Sequence, residues 1–167
     1  MPKFKYVTYK DLTHVQQKAL DAADHASRLY PYCPYSKFYV GAALYTHDGR
    51  EVVVGAGANI ENAAYGSTIC AERVAICVAR MSLRKFVGIA IIAHGKDFDT
   101  TDITGPCGSC RQNLFEFAQL CGIDPSRFKV VLSTTKMDKI IVTNMGELLP
   151  LGFGPLNLGI DISEFQK

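Results

Sequence analysis

Between residues 11 and 29 the apolar side chains Leu12, Val15, Ala19, Ala22, Ala26 and Leu29 recur at spacings of three and four. That period predicts an amphipathic helix. The run Tyr30-Pro31-Tyr32-Cys33-Pro34-Tyr35 ends it, because a proline disfavours helix in the residue before it. Residues 38–45 and 52–58 read as strands, joined at His47-Asp48-Gly49, where Asp-Gly signals a hairpin turn. A loop over residues 59–68 leads into a helix near residues 69–79. Residues 87–93 are continuously apolar and of strand length, the pattern of a central strand covered on both faces. Residues 99–105 read as a loop, and Pro106 opens a helix that ends near Gly122, a suitable C-terminal cap. Residues 129–132 and 140–142 complete a set of about five strands. Alternating strands and helices predict an α/β fold, a three-layer sandwich around a central mixed sheet. No repeat, linker or composition shift divides the chain, so residues 1–167 read as one domain. An irregular tail rich in Gly, Pro and Leu begins at about Leu148.

Composition narrows the classes. A chain of 167 residues, 48% hydrophobic and 20% charged, is long and apolar enough to fold around its own core. Its net charge of +2 is spread without a basic stripe, which argues against generic nucleic-acid binding. No apolar run approaches the roughly 18 residues of a membrane span. Met1-Pro2-Lys3-Phe4-Lys5 lacks the apolar stretch of a signal peptide. The expectation is a soluble, cytoplasmic protein without membrane partners. Six cysteines then point to metal ligation or ordinary burial, because a reducing compartment disfavours disulfides.

The chemistry concentrates in Cys70-Ala71-Glu72 and Pro106-Cys107-Gly108-Ser109-Cys110. A lone C-x-x-C is a weak signal, shared by redox sites, zinc ligands and chance. Position sharpens it: Cys70 falls in the first turn of one predicted helix, and Cys107 just after the proline that opens another. Helix N-termini favour thiolates. Three thiolates from two helix starts can meet on one Zn²⁺ and leave its fourth position open, as catalytic zinc requires. Cys77 is seven residues beyond Cys70, a helical rise of about 10.5 Å, too far to share that ion. Cys121 lies farther still from Cys110 and continues the apolar stripe Cys110, Leu114, Phe117. Cys33, flanked by Pro31 and Pro34, suits a turn. All three read as small buried hydrophobes. His14, His25, His47 and His94 have no ligand-like spacing. Glu72, two residues past Cys70, can reach water on the metal without ligating it, which is the described arrangement of zinc deaminases.

These blocks resemble the cytidine deaminase family. The likeness runs through Pro34-Tyr35-Ser36-Lys37-Phe38, Val40-Gly41-Ala42-Ala43, Asn59-Ile60-Glu61-Asn62-Ala63-Ala64-Tyr65-Gly66 and Cys70-Ala71-Glu72-Arg73. It continues through Pro106-Cys107-Gly108-Ser109-Cys110-Arg111-Gln112, Leu148-Leu149-Pro150 and Phe153-Gly154-Pro155. The resemblance implies zinc on Cys70, Cys107 and Cys110, with Glu72 as the proton shuttle. It implies Phe38 against the pyrimidine ring, Asn59 and Glu61 on the ribose 3′-hydroxyl, and the Ala71 backbone on the base carbonyl. Phe153 would come from a neighbouring subunit, so sites would be shared in a homotetramer. Arg73 would draw charge from the thiolates, which otherwise weaken the metal as an acid. Without the resemblance, Phe38 also reads as core, and Asn59 with Glu61 as a loop turn. Gly105 stands where many relatives carry a small hydroxyl residue, beside a carbonyl the family aims at the leaving amine.

The implied reaction is hydrolysis of cytidine and 2′-deoxycytidine to uridine and 2′-deoxyuridine plus ammonia, a step of pyrimidine salvage. The alternative is a related cytosine nucleotide or nucleoside analogue as substrate. A nucleotide or polynucleotide substrate would need a phosphate cradle or a basic, aromatic channel. The low charge, the absence of Trp and the acidic Glu61 argue against both. A zinc-binding interaction module would close its site with a fourth ligand, and a C-x-x-C oxidoreductase would leave Cys70 and Glu72 without a role.

Overall fold

The computed structural model describes residues 4–46, 52–81 and 85–165, and six strands join there in one sheet. The strands are β1 (Tyr6–Val7), β2 (Phe38–Thr46), β3 (Val52–Ala58), β4 (Gly88–Gly95), β5 (Lys129–Ser133) and β6 (Ile140–Asn144). The helices are α1 (His14–Leu29), α2 (Ala71–Met81), α3 (Gly108–Leu120) and the single turn α4 (Met145–Leu148). The sheet order is β1-β6-β5-β4-β2-β3, and only β4 and β5 pair in parallel, across the α3 crossover. The sheet is therefore mixed, as expected, but has six strands instead of about five. The extra one, β1, pairs with β6 over two residues, too few to show an alternating pattern. The turn read at His47-Asp48-Gly49 lies outside the described residues.

Both faces of β4 are covered. Ile89 and Ile91 pack into one apolar cluster with Ala75, Ile76, Leu114 and Phe128, on the α2 and α3 side. Ala90 and Ile92 join Val15, Leu20, Ala23 and Val131 in a second cluster under α1. The continuous apolar run thus marks the middle of a three-layer sandwich, as read. Helix α1 begins later than the periodicity suggests, at His14, because Thr13 caps it. The Thr13 hydroxyl accepts from the Gln16 amide at 3.4 Å, and the Gln16 side chain accepts from the Thr13 amide at 3.0 Å. At the other end Leu29 is 60% exposed, where the stripe had placed it inward.

Helix and sheet approach closely at two glycines. A Cβ on Gly41 would fall 1.9 Å from the Ala23 carbonyl oxygen of α1, and one on Gly57 would fall 2.7 Å from the Val74 Cβ of α2. Gly57 thereby lets the first turns of α2 settle onto β3, which sets the depth of Ala71 and Glu72. Among its described residues the tail from residue 148 holds two short 3₁₀ turns, Pro155–Leu158 and Ile162–Phe165, and no further strand. Among the described residues, no helix is long and apolar enough to cross a membrane.

Candidate active site

Two helix N-termini supply the thiols. Cys70 immediately precedes α2, and its carbonyl accepts from the Arg73 and Val74 amides at 3.0 and 3.1 Å. Cys107 is the N-cap of α3, and its carbonyl accepts from the Arg111 amide at 2.9 Å. Both therefore sit one step before the helix, outside the first turn where the spacing had put Cys70. Cys110 follows inside the first turn of α3 and is fully buried. The three sulfurs all lie within 4.8 Å of one another, and those of Cys70 and Cys107 are 4.0 Å apart. Zinc–sulfur bonds of about 2.3 Å in a tetrahedron place sulfurs roughly 3.8 Å apart, so the cluster fits that ion. Among the described residues it is the only cluster of three or more metal-ligating side chains.

Cys70 and Cys110 share their protons unevenly. Hydrogen bonding from the Cys110 thiol, helped by Cys107 and the Arg73 guanidinium, brings the Cys70 thiol down to about 6. The proton this leaves on Cys110 is held there by its bond to Cys70 and by burial, well above the ordinary thiol range. Arg73 donates through Nη2 to the Thr68 carbonyl at 2.7 Å, and its buried Nε has no hydrogen-bond partner.

Above the thiols lies a small cavity of about 150 Å³. Its walls are Val40, Asn59, Thr68, Cys70, Ala71, Glu72, Ile91, Thr104, Gly105 and Cys107. Glu72 is 4% exposed, and burial raises its carboxyl above the usual carboxylate range, with the charge of Cys70 adding to the effect. A carboxyl raised in this way holds a proton more readily than a free one, as a proton shuttle must. The structure thus brings the three thiols, Glu72, Ala71 and Asn59 into one place. Val40, Thr68, Ile91 and Thr104 had no assigned role. They become walls because β2 lies beside β4 and because two loops meet there, which no local signal marks.

The other expected site residues are placed differently. The Asn59 amide spans the start of β2: Oδ1 accepts from the Val40 amide and Nδ2 donates to the Phe38 carbonyl, each at 2.9 Å. The Glu61 carboxylate accepts from the Tyr35 amide at 2.8 Å and the Ser36 amide at 3.2 Å. Its carboxyl is lowered from the usual carboxylate range, first by the Ser36 side chain and then by the Tyr35 and Ser36 amides, against the effect of burial. Glu61 lines an adjoining open cleft with Tyr35, Ser36, Tyr65 and Thr68, the last shared with the cavity. Phe38 lies outside the cavity walls and stacks on Phe98, with ring centroids 6.4 Å apart. Phe153 is 57% exposed and is also outside the walls. Its carbonyl accepts from the Gln112 side chain at 2.8 Å. Cys33 and Cys121 are buried, as read. Cys77 is exposed, which corrects its reading as a small core residue. The run Ala75-Ile76-Cys77-Val78 is apolar all round, so its period does not show which side faces water.

Comparison with known proteins agrees with this site. A family model described as the cytidine and deoxycytidylate deaminase zinc-binding region matches residues 11–121. A cytidine deaminase of Halalkalibacterium halodurans is 45% identical over 123 residues, covering 73% of this chain and 82% of that protein. A cytidine deaminase of Sporosarcina psychrophila is 39% identical over 140 residues, covering 83% and 92%. The crystal structure of cytidine deaminase from Burkholderia pseudomallei superposes with a TM-score of 0.69 at 38% identity, over 85% of this chain and 100% of that one. The chain therefore belongs to the family of cytidine and deoxycytidylate deaminases that share this zinc-binding region.

Proposed function

We propose that the protein hydrolyses cytidine and 2′-deoxycytidine to uridine and 2′-deoxyuridine with release of ammonia, a cytoplasmic step of pyrimidine salvage. The observation that carries this reading is a buried Glu72 carboxyl in a small cavity lined by the Cys70 and Cys107 thiols, with the Cys110 sulfur within 4.8 Å of both. Cys70, Cys107 and Cys110 would hold the zinc, which when bound supplies Lewis acidity that brings the pKa of water to about 7. Glu72 takes a proton from the attacking water and gives it to ring N3, which makes C4 electrophilic. It then carries the second proton to the departing amine, so water and cytidine leave as uridine and ammonia. Arg73, against Cys70, draws charge from the thiolate. The Ala71 backbone reads the base carbonyl.

The cavity matches one pyrimidine ring in kind, with apolar walls and few polar groups. The adjoining cleft suits the sugar. Glu61 keeps acceptor capacity there, since a carboxylate offers about four lone-pair sites and two backbone amides use only part of them. Asn59 retains one Nδ2 hydrogen beyond its bond to Phe38. Among the described residues no lysine or arginine lines that cleft, although the Lys37 charge acts on Glu61, and an acidic lining favours an uncharged sugar over a nucleotide. Phe38, from the start of β2, and Phe153, from a neighbouring subunit, complete the wall around the base in a homotetramer.

Glu72→Gln tests the mechanism. The amide cannot carry the proton, so the variant is expected to keep one zinc per subunit and lose about 10²–10⁴-fold in turnover. Metal analysis beside ammonia release from cytidine, deoxycytidine and deoxycytidylate measures both. Near-normal turnover by the variant, or deoxycytidylate as the preferred substrate, would overturn the reading.

A further inference from the structure

Arg111 and the Leu148-Leu149-Pro150 block have no part in the chemistry above, and the structure joins them. Arg111 follows Cys110 in α3. Its amide donates to the Cys107 carbonyl at 2.9 Å, and its side-chain Nε donates to the Pro106 carbonyl at 2.8 Å. One residue thus holds two successive carbonyls of the loop that carries Cys107. Its Nη1 reaches the Leu148 carbonyl at the end of α4, at 3.2 Å. A Cβ built on Gly105 would stand 3.9 Å from Nη2, so the third nitrogen faces the loop just before Pro106. The other helix start repeats the device: the Arg73 amide holds the Cys70 carbonyl, and its Nη2 holds the Thr68 carbonyl. Arg73 also lies against the Cys70 sulfur, whereas the bonds of Arg111 go to backbone carbonyls alone.

A guanidinium is a rigid planar fork, which lets one side chain tie two carbonyls at fixed angles. We propose that Arg111 is a positioning residue for the metal centre. It fixes the Pro106-Cys107 backbone against the C-terminal segment at Leu148, and so keeps the Cys107 and Cys110 sulfurs on Cys70. The proposal rests on the zinc reading of the three thiols and is independent of which nucleoside is turned over. Wild-type zinc content and turnover, measured first, test that parent reading separately.

The experiment follows zinc release from the loaded protein into an excess of a chromogenic chelator, for wild type, Arg111→Met, Arg111→Lys and Val131→Ala. Val131 is fully buried in the cluster under α1, so its truncation reports general destabilisation. Partners that orient metal ligands typically contribute 10–100-fold in affinity, so Arg111→Met is expected to release zinc about 10–100-fold faster. Arg111→Lys, which reaches one carbonyl at a time, is expected to fall between, and it carries the test if the Met variant does not fold. Val131→Ala is expected to stay within about threefold of wild type. Cobalt(II) loaded in place of zinc is expected to show shifted thiolate charge-transfer bands in the Arg111 variants only. Wild-type release and spectra in those variants, full restoration by lysine, or equal acceleration by Val131→Ala would each overturn the proposal.

Discussion

Cys77 and Cys107 are chemically identical and both exposed, yet only Cys107 stands with two other sulfurs. Their substitution therefore separates metal ligation from mere exposure of a thiol. Cys77→Ala removes an exposed sulfur from the outer face of α2 and is expected to change stability by no more than about 0.5 kcal/mol, with zinc retained. Cys107→Ala removes one of the three proposed ligands and is expected to lose zinc, turnover and thermal stability together, because metal binding at such a site is coupled to folding. Metal analysis and thermal melts of both variants decide this. Loss of zinc from the Cys77 variant would show the ligand set to be wrong.

The contacts between elements make two sharper demands. Gly41 meets a backbone carbonyl of α1, which cannot rotate away as a side chain would. Gly41→Ala is expected to push α1 off the sheet and cost at least the roughly 1–3 kcal/mol typical of overpacking, read from the denaturant midpoint. Tyr45, buried where β2 faces α1, gives a pH dependence. Burial pushes its hydroxyl up to about 12, against the pull of the Gln16 side-chain hydrogen bond. In the unfolded chain a tyrosine ionises near 10. Between those values the unfolded state loses a proton that the folded state keeps, so rising pH favours unfolding. The Tyr45 contribution is thus full below pH 10 and declines by about 1.4 kcal/mol per pH unit up to about 12. Tyr45→Phe is expected to flatten that slope in unfolding measured from pH 8 to 11.5. An unchanged slope would place the alkaline sensitivity elsewhere, for instance at Tyr9, which burial and Asp21 also raise to about 12.

For the whole molecule the question is assembly. The tail presents Leu151, Phe153, Leu156 and Leu158, each more than half exposed, along one stretch of chain. Gln112 anchors the Phe153 backbone to α3 while its ring stays outside the walls of its own cavity. That arrangement suits a ring that serves a neighbour. Phe153→Ala is expected to weaken substrate binding with zinc content unchanged. Co-refolding Glu72→Gln with Phe153→Ala subunits is expected to restore part of the lost turnover. Some sites in the hybrids then combine an intact Glu72 with a neighbour's intact Phe153. No recovery in a mixture shown by mass to contain hybrids would reject shared sites.

The sequence by itself determined the family and the candidate site. Cys70, Glu72, Cys107 and Cys110 are legible as candidates because their proposed roles depend on residue type and on short spacings at helix starts. The longer elements are legible because period and capping are local properties of a dozen residues. Tertiary structure decided the rest. It turned Cys77 outward, paired β1 with an edge that two residues cannot announce, and committed the Asn59 amide to the start of β2. It also brought Val40 and Ile91 beneath the same cavity and tied Arg111 to Leu148. These depend on which strands lie side by side and on how the helices pack against the sheet and against one another. That is settled by packing among residues far apart in the chain, where no short-range periodicity reaches.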